Sequence, residues 1–244
     1  MHRFYPDPSR SRDDLEFLTP EDSRHALTVL RLKAGAQVEV ISGGHPWLAE
    51  ITGEEDRIVR VRKLTPLPST EPKLAITLFQ GIPKADRMDW IVQKATELGV
   101  CRIVPVGMER CVVRLSPADS VRKLERWIRI SREAGKQCGR CILPEILPPV
   151  TLRQLAERED LPALNVVPWE EAAGFGPLAF HAAHPEAGSL GILIGPEGGI
   201  TPEEIGLLSS KGFLPMTLGK RILRTETAGI AAVAALMSLY GEME

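Results

Sequence analysis

Long apolar runs are missing from this chain. No stretch approaches the roughly 18 residues of a membrane-spanning helix, so a membrane partner is not expected. The N-terminal MHRFYPDPSRSRDD has no apolar stretch behind its basic residues and does not read as a secretory signal. Cysteine is scarce, at 4 of 244 residues. Together these features place the protein in a reducing cytoplasm and exclude a disulfide framework. The histidines His2, His25, His45, His181 and His184 nowhere fall into an HExxH spacing. Cys138 and Cys141 form a CxxC, but Cys101 and Cys111 are too far apart to supply a second short pair for zinc. No metal is therefore expected. Internal repeats and low-complexity tracts are absent as well. What remains is the composition of a soluble globular chain, 43% hydrophobic and 25% charged.

The net charge of −2 conceals an uneven distribution. Residues 73–141 carry 14 Lys/Arg against 7 Asp/Glu, net +7, whereas residues 142–244 are net −7 and residues 1–72 net −2. A basic third inside a mildly acidic protein points to a localised face for a polyanion such as RNA.

Two domains are expected, 1–68 and 73–244, joined at the proline-rich segment Thr65–Pro72. The first has short β-like runs separated by Gly-rich turns, with Val59 and Val61 alternating against Arg60 and Arg62. A helix opens at Thr19-Pro20-Glu21-Asp22 and runs through Leu30. The second domain alternates strands and helices, which predicts a mostly parallel sheet. Strands are expected at 74–79, 101–106, 142–147, 164–167, 190–194 and 214–218. Asp86 caps one helix and Gly99 ends it, Ser116 caps a long one, and Thr201 opens another with a capping box. The last helix, Glu226 to Tyr240, is apolar on nearly all sides, so it is buried in the core or under a second subunit.

On the long helix, Arg122, Arg126, Arg129, Lys136 and Arg140 recur at helical spacing and read as one basic stripe able to track phosphates. Val121, Leu124, Ile128 and Ala134 are placed on the other side. Three loops follow predicted strands, at Val167-Pro168, at Ile194-Gly195-Pro196-Glu197-Gly198-Gly199, and at Leu218-Gly219-Lys220-Arg221-Ile222-Leu223-Arg224. In an open parallel sheet, ligands bind beyond the carboxyl ends of the strands, so these loops define a pocket. They match neither a dinucleotide-binding GxGxxG nor a P-loop. Arg224 and Glu226 open an apolar helix, where burying charge costs several kcal/mol unless it is paired.

The pair IGPEGGITPEE and LGKRILRTETA closely resembles the ribosomal RNA small-subunit methyltransferase E family. Gln80 to Met88, Gln93 to Val100, Glu109-Arg110-Cys111, Gln137-Cys138-Gly139-Arg140 and His25 to Leu32 also match it. The chain departs at Thr28, where the family tends to be basic, and at Lys136, where it usually has Glu. The resemblance implies a SPOUT-type α/β parallel sheet with a C-terminal trefoil knot, preceded by a small PUA-like β-barrel. It implies a homodimer that methylates N3 of one uridine in 16S rRNA of the 30S subunit with S-adenosyl-L-methionine. The three loops above, the last as far as Leu223, and Thr227 would hold the cofactor. RNA contacts are expected from Arg3, Arg31, Lys84, Arg87, Arg110, the stripe and Arg224. Glu197 and Glu226 are candidate general bases, with Glu226 alternatively only capping its helix and pairing with Arg224. Arg224 is the candidate cation for charge developing on the uracil oxygens. The competing readings are an RNA-binding or ribosome-assembly module without catalysis, and a related methyltransferase acting on another RNA.

Overall fold

Valines alternating with arginines make a strand with one wet face. That strand is β5 (Ile58–Pro66), where Val59 and Val61 are fully buried and Arg62 is exposed. The computed structural model describes residues 1–12 and 14–244. The chain divides into two units, residues 1–71 with 136–142, and residues 72–135 with 143–244.

The first unit is a five-stranded sheet of β1 (Arg3–Phe4), β2 (Leu15–Phe17), β3 (Gln37–Ser42), β4 (His45–Glu55) and β5, in the order β1-β3-β4-β5-β2. Its two edges meet where Pro6 bridges Leu18 and the Asp7 N–H donates to the Phe17 carbonyl at 2.8 Å. Phe4, Leu18, Val38, Val40, Val59 and Val61 fill the interior. Helix α1 covers only Pro20–Arg24 and continues as a π turn, His25–Val29; Thr19 caps it by accepting the Asp22 N–H. The proline-rich segment is not a free linker. Thr65 and Pro66 complete β5, whose end tolerates a proline. Glu71 accepts from the Arg140 side chain and from the Cys141 and Ile142 N–H groups, while Thr70 donates to the Gly139 carbonyl.

In the second unit, strands β6 (Ala75–Gly81), β7 (Arg102–Gly107), β8 (Glu145–Ile146), β9 (Val150–Thr151), β10 (Leu164–Pro168), β11 (Ser189–Ile194) and β12 (Phe213–Met216) form one parallel sheet. Its order is β12-β10-β11-β6-β7-β8, with β9 also on β7. Every pairing is parallel, as the strand–helix alternation predicts. The helices are α2 (Arg87–Glu97), α3 (Pro117–Cys138), α4 (Leu152–Ala156), α5 (Pro177–Ala183), α6 (Pro202–Ser210) and α7 (Thr225–Leu239). The Thr201 capping box is present with Glu204 as its reciprocal partner. Asp86 occupies the N-cap position of α2, but its side chain makes no capping hydrogen bond. One sheet face packs on α2, α5 and α7 through residues such as Leu78, Ile91, Phe180, Ile192 and Leu236.

Helix α3 corrects two expectations. Val121 and Ile128 are exposed, and Trp127, Ser131, Ala134 and Gly135 are the buried positions. Helical period fixes which residues share a face, not which face the core takes. The basic stripe is also not continuous. Gly139, at φ +90°, ends the helix, so Arg140 lies beyond it, buried and paired with Glu71 at 2.9 Å. Lys136 pairs with buried Asp22 at 2.7 Å.

Candidate active site

The carboxyl ends of the four adjacent strands β12, β10, β11 and β6 carry the special loops. Together they enclose a cavity of about 480 Å³. Pro168, Ile194, Gly195, Pro196, Glu197 and Gly199 line it. So does the whole run from Leu218 to Arg224, with Lys84 and Arg87. Val167 is buried in the sheet, Thr227 is exposed on α7, and Gly198 supports the loop from outside the cavity lining.

Glycine is needed in this loop because other chain comes too close. A Cβ on Gly195 would meet the Ile200 side chain at 2.5 Å. One on Gly198 would meet the Arg110 Cβ at 2.7 Å and its carbonyl oxygen at 3.0 Å. Gly199 adopts φ +77°. Arg110, expected as an RNA contact, donates to the Gly198 carbonyl at 3.1 Å. Buried Glu204 accepts from the Glu109 N–H at 2.8 Å and the Thr201 N–H at 3.1 Å, tying the loop after β7 to the start of α6.

Sequence reasoning missed the polar link behind the pocket. Gln80, fully buried at the end of β6, donates to the Thr225 hydroxyl at 2.9 Å. Thr225 donates in turn to the Gly195 carbonyl at 2.5 Å. The link joins β6, the glycine loop and α7. A glutamine within a mostly apolar strand was its signal, since buried amides need partners. Trp169, Glu170 and Thr217 also line the cavity without having been singled out.

The charged groups separate into engaged and open ones. Glu197 accepts from the Lys84 N–H at 2.9 Å and from Arg87 Nη1 at 2.5 Å. Burial alone would push the Glu197 carboxyl up. The N–H groups of Lys84 and of Glu197 itself, together with the Arg87 guanidinium, outweigh that and hold it below the ordinary carboxylate value. So anchored, Glu197 is a poor proton acceptor. Glu226 pairs with Arg87 Nε at 3.7 Å rather than with Arg224, and its Oε2 is buried without a hydrogen-bond partner among the described residues. Lys84, Lys220, Arg221 and Arg224 are exposed around the cavity, and their side chains make no ion pair or hydrogen bond with the described residues. The stripe on α3 is partly neutralised, Arg122 by Asp119 at 2.7 Å and Arg126 by Asp89 at 2.5 Å; Arg129 is exposed. In the first unit Arg3 pairs with Glu39 at 2.6 Å, and Arg31 is exposed. Among the described residues no helix is long and apolar enough to cross a membrane, and no cluster of three or more His, Cys, Asp or Glu could hold a metal ion. All four cysteines are free thiols.

A parallel α/β sheet with a glycine-walled, cation-rimmed cavity, in a chain that also carries a small closed sheet, fits an RNA methyltransferase, and matches to two known families show that class. Residues 70–237 match the RNA methyltransferase domain family and residues 18–64 the RNA methyltransferase PUA domain family. The chain belongs to the ribosomal RNA small subunit methyltransferase E family. It is 32% identical over 225 residues to the member from Bacillus subtilis, covering 90% of this chain and 88% of that one. The member from Aquifex aeolicus is 32% identical over 239 residues, covering 98% of this chain and all of the other. Its structure matches that of the member from Neisseria gonorrhoeae bound to S-adenosyl methionine, at 34% identity, TM-score 0.85 and full coverage of both chains.

Proposed function

We propose that this protein transfers a methyl group from S-adenosylmethionine to N3 of a uridine in 16S rRNA, as a cytoplasmic homodimer. The observation that carries the reading is the cavity itself. Its size suits a nucleoside-sized ligand. Its wall is bare backbone where the glycine loop admits no Cβ, and its rim is four cations open to phosphate. The glycine loop, Pro168 and the Leu218–Leu223 run would hold the cofactor. When bound, S-adenosylmethionine supplies an electrophilic methyl group on a positively charged sulfur.

The rest falls to the chain's own residues. A neutral uridine N3 carries a proton and is not nucleophilic, so a base must take it. Glu226 is assigned that role, because Glu197 is already occupied by two donors. Arg224, lining the cavity and without a partner among the described residues, is assigned the negative charge that develops on the uracil oxygens. Lys84, Lys220 and Arg221 hold the RNA backbone. The C-terminal trefoil knot is part of this reading. The chain leaves β12 at the sheet edge and returns to β6 and β11, where Thr225 meets Gly195.

The test uses methyl-labelled S-adenosylmethionine and 30S subunits lacking the modification, with digestion of the rRNA to nucleosides. Label in 3-methyluridine, strongly reduced in Arg224→Ala, is expected. Equal label in both removes Arg224 from the mechanism. No label, despite cofactor binding, redirects the search to another RNA. Absence of cofactor binding leaves an RNA-binding module.

A further inference from the structure

Two carboxylates share one guanidinium beside the cavity, and they share it unequally. Arg87, in the first turn of α2, gives Glu197 a hydrogen bond from Nη1 at 2.5 Å. It faces Glu226 through Nε at 3.7 Å, a distance for charge attraction without a hydrogen bond. Glu197 therefore has its Oε1 doubly occupied, by Arg87 and by the Lys84 N–H. Glu226 keeps its acceptor capacity, and its Oε2 is buried with no donor among the described residues. A buried acceptor without a donor costs free energy that an arriving N–H would recover. The two environments set the carboxylates apart, one as an anchor and the other as an open base.

We propose that Arg87 is the positioning residue of the methyl transfer: anchored by Glu197, it holds the Glu226 carboxylate in place by charge without consuming its lone pairs. This rests on the assignment of Glu226 as base. In the step it serves, the uridine N3–H bond breaks and the proton passes to Glu226. The electron pair left on N3 forms the new N–C bond as the methyl–sulfur bond breaks, its electrons staying on sulfur. Arg87 touches neither reacting atom.

Besides Arg87 and Glu197, the cavity carries the charged groups Lys84, Glu170, Lys220, Arg221 and Arg224. Helix α7 packs on α2, α5, β6 and β11. Strands β6 and β11 carry no titratable side chain. On α2, Asp89 is taken by Arg126, and Lys94 and Glu97 pair with each other. His181 of α5 stacks on Tyr240, just past the far end of α7, and His184 lies against Phe180. Arg224, on the N-terminal side of Glu226, makes no ion pair with the described residues.

The experiment compares single-turnover methyl transfer at saturating S-adenosylmethionine and RNA for wild type, Arg87→Gln, Arg87→Lys, Glu197→Gln and Glu226→Gln. S-adenosylmethionine binding by calorimetry serves as the folding control. Arg87→Gln should lower the transfer rate at least about tenfold while cofactor and RNA affinities stay unchanged, with Arg87→Lys restoring most of it. Glu197→Gln, which frees the anchor, should lower the rate in the same way. An unchanged rate in Arg87→Gln, or a loss explained by weaker cofactor or RNA binding, overturns the proposal and leaves the base assignment intact. Undiminished transfer by Glu226→Gln removes the base, and the role of Arg87 with it.

Discussion

At the scale of single residues, close approach decides what the glycine loop can be. Gly198 lies against the backbone of Arg110, so an alanine there has a neighbour that cannot rotate away. Gly198→Ala should displace the loop, lowering cofactor affinity at least about tenfold, or 1.4 kcal/mol, and stability by about 1–3 kcal/mol. Calorimetric binding and urea denaturation measure the two separately. Tyr5 gives a second prediction, on pH. Burial pushes its phenol well above the ordinary value of 10.0, an effect that nearby Arg3 only partly opposes, and its hydroxyl donates to the Arg140 carbonyl at 2.7 Å. The folded state therefore holds this proton more tightly than the unfolded chain. Below pH 10 the resulting stability is fully present; above it the unfolded chain ionises first and stability falls. Denaturation between pH 9 and pH 11 should show a drop that is smaller in Tyr5→Phe, although the variant starts about 1 kcal/mol lower for the lost hydrogen bond. An equal drop in both would mean that other groups set the alkaline limit.

At the scale of elements, most local patterns were legible, though Asp86 makes no capping hydrogen bond, whereas side-chain partners brought together by the fold were not. The Thr201 capping box, the parallel alternation and the loops around Pro168, Gly195 and Leu218 are local patterns, and the structure brings those loops to one cavity. The partner of Glu226 was not legible, because Arg87 is distant in sequence and the nearer Arg224 offered a plausible pair. The basic stripe on α3 failed for the same reason. Among the described residues, four of its five charges are matched, by Asp119, Asp89, Asp22 and Glu71, three of these on other segments, and only Arg129 stands exposed apart from them. The phosphate contacts are therefore expected at the open cations of the cavity rim. Salt titrations of RNA binding test this, since each lost phosphate contact flattens the log K against log salt slope by about 0.7–0.9. Lys220→Gln and Arg221→Gln should each flatten it by about that amount. Arg122→Gln and Arg126→Gln should change it far less. The reverse order would return the RNA to α3.

At the scale of the whole molecule, α7 poses a question of assembly. After Glu226 it carries no charge through Leu239, and its inner side, including Ala232, Val233, Leu236 and Met237, is buried in the core. Its other side presents the half-buried Ile230, Ala231 and Ala234 between the exposed Thr227 and Ser238. A helix bordering water ordinarily shows charged or polar residues on that side. Small apolar residues there suit close packing of a second copy, and a closed two-fold pair is the commonest such assembly. Sedimentation equilibrium should then give twice the chain mass of 26.8 kDa. Ala231→Glu and Ala234→Glu would place a charge on the half-buried side without disturbing the inner residues. Each should shift the protein to monomer while leaving far-UV circular dichroism unchanged, because an unpaired charge buried between subunits costs several kcal/mol. The pocket adjoins the same helix through Thr225 and Ala228, so dissociation should weaken cofactor binding as well. A monomeric wild type, or variants that remain dimeric with full cofactor affinity, would move the interface to another surface.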